Sequence, residues 1–499
     1  MITPTVPAAS ELSQEWVTKT ELMTYVRCPY TYSLLHRSEL DPADLFDDFI
    51  LDLIAQGQEF HDRVDAMAPS VELTSAEQFD ELLGQGTVIL HPPLLFNEEL
   101  KIYGMPDGID PKNGAMWPIE YKSHKEVLPS DELELAFYWL LLAPRRTGGT
   151  DDPRGVMVLR RDGEPCPVEV AIPRHRIAQV TSYLGQVRQA RITSAEPRLC
   201  GCHVCTGVRR VEVLQSVTAR RHVSLLFGVG PEYERALSAL GVHDFLDLIE
   251  WDSGSLAAAL RHAGVPRCSA SLVERWQHHA RAYREGSAQF FGTPPPVSDG
   301  FIVLDLEYLT PPFGERVWLA GTAVANGTGP AQFHQLWADD TDTDEQRLLE
   351  ELGHFLDAHP QLPILTWAGR GADLPATRRA AARLGTTDPL AGRKHVDLYV
   401  WAQGSIRLPA PGLGLKGLAE YFAVPRNSNV AGGMEAQWLY LKLGDESRRS
   451  RHDTKQQLLD YNRDDLDATL ALARQLKALA LPQANRNPPM TETSRVWPP

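Results

Sequence analysis

Apolar residues cluster and alternate along the chain in patterns that predict both strands and helices. The sharpest run is F-I-V-L-D-L-E-Y at 301–308, where four apolar residues lead into Asp305 and Glu307. Strand side chains repeat with period two, so these two carboxylates project from one face. Two further strands are predicted from K-I-Y-G-M-P-D-G-I-D (101–110) and W-P-I-E-Y-K-S (117–123), joined by a Gly- and Asn-bearing turn. Asp107 then sits near the end of one strand, and Glu120 and Lys122 share a face of the next. A helix follows over D-E-L-E-L-A-F-Y-W-L-L-L, and an upstream helix contains G-Q-E-F-H with His61. Near the C-terminal end, L-L-D-Y-N-R-D-D-L-D-A-T-L-A-L-A (458–473) has helical periodicity that puts Tyr461 and Asp465, at i and i+4, on one face. Between these segments P-I-L-T-W-A-G-R-G-A-D gives an apolar strand, a glycine-rich loop and Asp373 at a helix start.

Breaks in the pattern divide the chain. T-P-P-P-V-S-D-G (293–300) blocks helix and central strand alike, and marks a domain boundary. Before it, from just after a cysteine-rich stretch to about residue 291, the pattern is all helical. There the G-V-G turn resembles a helix-hairpin-helix, but acidic flanks favour a packing spacer. The polar, Pro-rich ends cannot offset their ordering entropy and are expected to be disordered. With 499 residues, two to four domains are expected. Lys and Arg total 49 against 65 Asp and Glu, so 49 − 65 = −16, and any nucleic-acid contact must be local. Residues 145–221 are the exception, with fourteen arginines against seven acids, 14 − 7 = +7, a candidate backbone-binding surface or a solvated basic face. The longest apolar stretch is about half of the ~20 residues a bilayer span needs, and the N-terminus lacks the features of a signal peptide. No membrane association and a cytoplasmic location are expected.

Candidate chemistry follows from the acids. Asp107, Glu120 and Lys122 suit phosphodiester hydrolysis: carboxylates hold a hard divalent cation that polarises the phosphoryl group, and the lysine orients water or offsets developing charge. His61 could complete the metal shell. The order G-x-x-x-H, G-x-x-D, I-E-Y-K and a helix ending in tyrosine resembles the RecB-like branch of the PD-(D/E)XK nucleases. That resemblance implies His61, Asp107 and Glu120 as metal ligands and Lys122 as the catalytic lysine. Tyr138 matches the family's tyrosine, and Glu134 stands where the family has glutamine. The order Asp305-x-Glu307, distal Asp373, Tyr461-x-x-x-Asp465 resembles the DEDD exonucleases of the DnaQ-like, ribonuclease H-fold class. It implies four carboxylates holding two Mg²⁺ or Mn²⁺ ions, with Tyr461 positioning the attacking water. Asp397 in H-V-D-L and Lys416 in G-L-G-L-K-G-L also resemble this class, Asp397 either supporting the site or capping the next helix. Asp464 and Asp467 read as exposed helix acids.

Cys28 lies upstream in R-C-P-Y, and Cys200, Cys202 and Cys205 fall within C-G-C-H-V-C. Three clustered thiols imply a metal, while Cys166 and Cys268 read as ordinary cysteines. One cysteine before and three after the nuclease core is the layout of several RecB-like nucleases that bind a 4Fe-4S cluster. The C-x-C-x2-C spacing is tighter than theirs, and Zn²⁺ is the alternative. The chain resembles a bacterial family of predicted RecB-like nucleases, which implies an α/β multidomain protein. Its parts would be a disordered N-terminus (1–15), a PD-(D/E)XK restriction-endonuclease-like domain (16–206), a small helical connector (207–292), a ribonuclease H-like α/β 3′–5′ exonuclease domain (297–481) and a disordered tail (482–499). The implied function is metal-dependent hydrolysis of DNA in repair or processing, on single strands or 3′ ends, with RNA open and a helicase or repair protein as possible partner. The alternatives are a non-catalytic nucleic-acid adaptor, or a protein in which only the C-terminal centre is active.

Overall fold

Helix starts and crossovers position both sets of acids. The computed structural model describes residues 15–41, 43, 48–67, 76–112, 115–146, 152–161, 163–310, 313–444 and 448–479. The ends expected to lack order, 1–15 and 482–499, lie outside these residues except for Glu15. The chain forms two compact units, Met1–Val213 and Leu214–Pro499.

In the first unit, helix Lys19–Arg27 begins with a capping box. Glu21 N donates to Thr18 Oγ1 at 3.2 Å, and Thr18 N donates to the Glu21 carboxylate at 3.0 Å. Cys28 ends this helix and opens the next, Pro29–His36, where its thiol accepts from Thr31 N at 3.3 Å and Pro29 takes the first turn. A five-stranded sheet runs in the order Ile89–Leu90, Gly108–Asp110, Trp117–Lys122, Arg154–Arg161, Glu164–Ala171. Its only parallel pair joins the Trp117 and Arg154 strands. A parallel pair needs a crossover, and helix Pro129–Leu141 supplies it, burying Leu135, Ala136, Phe137 and Leu141. Gly155 lets that helix close on the sheet, because a Cβ there would meet Leu135 at 2.8 Å.

The second unit holds a five-stranded sheet in the order Gln332–Trp337, Val317–Asn326, Gly300–Tyr308, Ile364–Thr366, His395–Asp397. The first three strands are antiparallel and the last two join in parallel. Alternate residues of the strand expected at 301–308 enter opposite layers. Ile302 and Leu304 pack with Leu348 and Leu352 of helix Asp342–Asp357, while Phe301 and Val303 pack with Leu466 and Leu470 of helix Arg448–Leu479. Asp305 and Glu307 continue the second row, so periodicity alone aims them at the last helix. Helices Pro231–Ala239, Ser253–His262 and Ala270–Glu285 belong to this unit too. The fully buried His279 accepts from Phe227 N at 2.9 Å and lies 3.0 Å from Ala410 O through Nε2. Arg407, also buried, donates to the carbonyls of Ala402 and Gln403 at the end of helix Leu398–Ser405, at 3.2 and 3.1 Å. Among the described residues no helix is long and apolar enough to cross a membrane.

Candidate functional site

Asp305, Glu307 and Asp465 each bring a carboxylate oxygen within 4.8 Å of the others. Asp373, at the first turn of helix Asp373–Leu384, is buried at the same pocket but outside that tight trio. Burial, then the charges of its neighbours, raises Asp305 well above the usual carboxylate range, and Glu307 likewise. Burial followed by the Asp397 charge pushes Asp373 up to about 7, and burial raises Asp465. Like charges gathered in a low-dielectric pocket resist ionisation until a cation joins them. Lys416 and Arg426 fill that role only in part: both charges pull Asp465 down, but the Lys416 ammonium donates to Ala431 O at 2.5 Å and lies 4.9 Å from the Tyr461 ring centroid, and burial lowers its pKa. The donor set, all hard oxygens, fits divalent cations. Tyr461 is buried beside these acids and hydrogen-bonded to Asp465; burial and the acids raise its phenol.

Four residues around this pocket were missed, left open or misread in the sequence. Asn462, fully buried, donates through Nδ2 to Asp305 Oδ2 at 2.8 Å and accepts from Gln335 Nε2 at 3.0 Å. Gly321 faces Asp305 across the sheet, and a Cβ there would lie 2.0 Å from Asn462 Oδ1, so glycine is required for the amide to reach its partner. Asp397 accepts from the backbone N–H groups of Ala368, Arg370, Tyr399 and Val400 at 2.8–3.1 Å. It both caps its helix and holds the glycine-rich loop that leads to Asp373. Asp464, expected to be exposed, is 1% exposed and accepts from Asn427 N at 2.9 Å, Asn427 Nδ2 at 3.2 Å and Ser428 N at 2.8 Å. A residue next to Asp465 on a helix points about 100° away, here into a loop rather than to solvent. Asp467 pairs with Arg463 at 2.8 Å.

The N-terminal centre is gathered more loosely. Asp107 Oδ2 accepts from Tyr121 N at 2.7 Å, which ties it to the neighbouring strand, and His61 Nδ1 stands 3.9 Å from Asp107 Oδ1. His61, Asp107 and Glu120 do not form a trio of donors within 4.8 Å, unlike the acids of the second unit. Glu120 is buried, and burial pushes it up to about 8 against the pull of Lys19. Its Oε1 is buried with no hydrogen-bond partner, an open donor suited to a cation. Lys122 lies 2.8 Å from Glu134 and 3.7 Å from Glu120. Lys19, which no sequence pattern suggested, lies 3.3 Å from Glu120 and 2.9 Å from Glu134. Tyr138 is buried, and its hydroxyl donates to Met105 O at 2.9 Å, holding the turn before Asp107.

Cys28, Cys200, Cys202 and Cys205 place their sulfurs within 4.8 Å of one another, joining the start of the first unit to its end. Hydrogen bonds among the four thiols pull Cys28 down to about 7 and Cys202 below the usual thiol range, and push Cys200 and Cys205 up. Four soft donors around one point fit a thiolate-bound metal centre. A single tetrahedral ion ~2.3 Å from each sulfur sets neighbouring sulfurs ~3.8 Å apart; the Cys28–Cys205 pair lies at 3.7 Å and the Cys200–Cys202 pair closer, at 3.2 Å. A four-iron cube carries its thiolates on separate irons and needs them spread more widely.

The arginine-rich segment is partly spent inside the fold. Arg176 pairs with Glu132 at 2.7 Å, Arg188 donates to Leu100 O at 2.6 Å, and Arg191 pairs with Glu21 and donates to Tyr32 Oη at 2.8 Å. The surplus of +7 therefore overstates the charge offered to a phosphate backbone.

Comparison with protein families matches residues 302–477 to the RNase_H superfamily. The C-terminal part of this mixed α/β chain is thus a ribonuclease H-like domain, and the matched segment contains Asp305, Glu307, Asp373, Tyr461 and Asp465. Among solved structures the chain is similar to the family B DNA polymerase from the hyperthermophilic archaeon Pyrobaculum calidifontis, at 20% identity over 37% of this chain and 25% of that one, with a TM-score of 0.29. The chain spans about a quarter of the polymerase, a similarity too low to bear on activity. No curated protein matches.

Proposed function

We propose that the chain is a metal-dependent nuclease with two hydrolytic centres, which trims DNA 3′ ends in repair or processing through its C-terminal site. One observation carries this reading: three carboxylates converge beside a buried tyrosine inside a ribonuclease H-like domain. Asp305, Glu307 and Asp465, with Asp373 behind them, would hold Mg²⁺ or Mn²⁺, which supplies Lewis acidity to the phosphoryl group and stabilises the departing 3′ oxygen. Asn462 fixes the carboxylate of Asp305, and the Tyr461 hydroxyl, held beside Asp465, would orient the attacking water. The water oxygen bonds to phosphorus, the P–O3′ bond breaks, the released strand takes a proton on its new 3′ hydroxyl, and a 5′ mononucleotide leaves. In the N-terminal centre His61, Asp107 and the free Oε1 of Glu120 are the cation donors and Lys122 the positive group beside them.

Full-length protein with Mg²⁺ or Mn²⁺ tests the reading on 5′-labelled single strands of DNA and of RNA. Nucleotides should be released stepwise from the 3′ end of DNA. Asp305→Ala should remove that ladder, Glu120→Ala should spare it, and the double variant should cleave nothing. RNA cleaved faster than DNA would reassign the substrate; neither strand cleaved would favour a binding adaptor.

The resemblance to cluster-bearing nucleases favours a 4Fe-4S group at Cys28, Cys200, Cys202 and Cys205, and the sulfur separations favour one tetrahedral ion such as Zn²⁺. Iron and zinc analysis of anaerobically purified protein, with its absorbance spectrum, separates the two.

A further inference from the structure

Lys19 and Glu134 are both unexplained by the roles assigned above. Glu134 replaces the glutamine of the resembling family, and Lys19 comes from the first described helix of the chain. The structure puts them in one network. Glu134 bridges the ammoniums of Lys19 and Lys122 at 2.9 and 2.8 Å, and both ammoniums also face Glu120 Oε2, at 3.3 and 3.7 Å. Two ammoniums and two carboxyl groups thus alternate around the strand that carries the proposed metal ligand. Glu120 Oε1 alone is left buried without a partner.

We propose that Lys19 is a positioning residue of the N-terminal centre and that it forms a matched pair with Glu134. The inference rests on the nuclease reading of that centre. With glutamine at position 134, Lys122 alone would balance Glu120. A glutamate there adds a second carboxylate beside Glu120 and competes for Lys122. Lys19 supplies the missing positive charge and, with Lys122, engages Glu120 Oε2, so that Oε1 is turned toward the metal position. The position of Lys19 is fixed from both ends of its helix: the Thr18–Glu21 box and the Arg191–Glu21 pair hold the start, and Cys28 ends the helix within the thiol group. The ammonium also lies 5.4 Å from the Tyr138 ring centroid, an added reason for it to stay.

The test is a charge-balance cycle in full-length Asp305→Ala protein, where the remaining metal-dependent cleavage of labelled single-stranded DNA reports the N-terminal centre. Turnover at saturating Mn²⁺ and melting temperature are read for each variant. Lys19→Met should lower turnover by about 10- to 100-fold, and Lys19→Arg should largely retain it. Glu134→Gln should have a smaller effect, and Lys19→Met with Glu134→Gln should return to within a few-fold of Glu134→Gln alone. If Lys19→Met fails to fold, Lys19→Gln takes its place in the cycle. Parental turnover in Lys19→Met, or a double variant that folds yet stays as slow as Lys19→Met, overturns the pairing while the nuclease reading stands. If the Asp305→Ala chain cleaves nothing, the reading of this centre fails and the pairing fails with it.

Discussion

In the N-terminal centre Glu120 and Glu134 share two lysine ammoniums at 2.8–3.7 Å, whereas in the C-terminal centre Asp305, Glu307 and Asp465 face one another and the nearest lysine is turned to a backbone carbonyl. Each site draws its acids from one sheet strand and one helix, so the contrast lies in charge balance rather than scaffold. The first site carries its own counter-charges. The second is a pocket of like charges whose repulsion is relieved by protons or by divalent cations, and binding to the folded state alone adds stability by mass action. Burial and mutual repulsion still raise its acids although Lys416 and Arg426 offset part of their charge, and a carboxylate pocket compensated only in part is a marker of a metal centre.

The largest expected effect is on the C-terminal site. Glu307→Gln should lower 3′ exonuclease turnover roughly a thousandfold, the scale of about 4 kcal/mol of transition-state stabilisation. The same change should raise the melting temperature of metal-free protein by removing a buried carboxyl whose ionised form the pocket penalises; a metal-free variant that melts below the parent would break the contrast. Next, Cys202→Ser should release the metal of the thiol group and cost the first unit about 2–5 kcal/mol, as loss of a long-range cross-link does, read as a lower melting transition and as metal content. Asn462→Leu or Gly321→Ala should lower exonuclease turnover about 10- to 100-fold by freeing Asp305, without affecting cleavage that depends on Glu120.

The smallest effect is on pH. Asp305, Glu307 and Asp373 have raised pKa values in the fold, so at neutral pH the folded state binds more protons than the unfolded chain. That contribution is full below the unfolded carboxylate range and is lost as pH rises through the folded values, about 7 for Asp373. Metal-free protein should therefore lose up to about 1.4 kcal/mol per titrating group per pH unit between pH 6.5 and 8, and saturating Mg²⁺ should flatten the slope. His279, lowered to about 3 by burial, acts with the opposite sign, adding stability as pH rises toward 6.5, and contributes no slope above that. Melting curves in that window, with and without metal, check the sign.

What could be read in the sequence was what lies within a few residues or follows one period. The pairs Asp305 with Glu307 and Tyr461 with Asp465 needed only the strand and helix repeats, and the three clustered thiols needed only the rarity of cysteine, while Cys28 joined them through the layout of the resembling nucleases. Lys19 was invisible because its partner Glu120 is 101 residues away and no local pattern links them. Asn462 could be placed on the Tyr461 helix, but its task depends on Gly321 leaving room across the sheet. Asp464 was misread because acids next to acids on a helix usually face water, and here a loop closes over it. The arginine surplus was overread because counting charge does not show which guanidiniums a carbonyl already holds.

Anomalous scattering from crystals of the full-length protein soaked in Mn²⁺ tests the central contrast most directly. The account predicts manganese among Asp305, Glu307 and Asp465, with a second ion toward Asp373, both lost in Glu307→Gln. Absence of manganese from that pocket at saturating concentration, with the carboxylates still gathered, would contradict it.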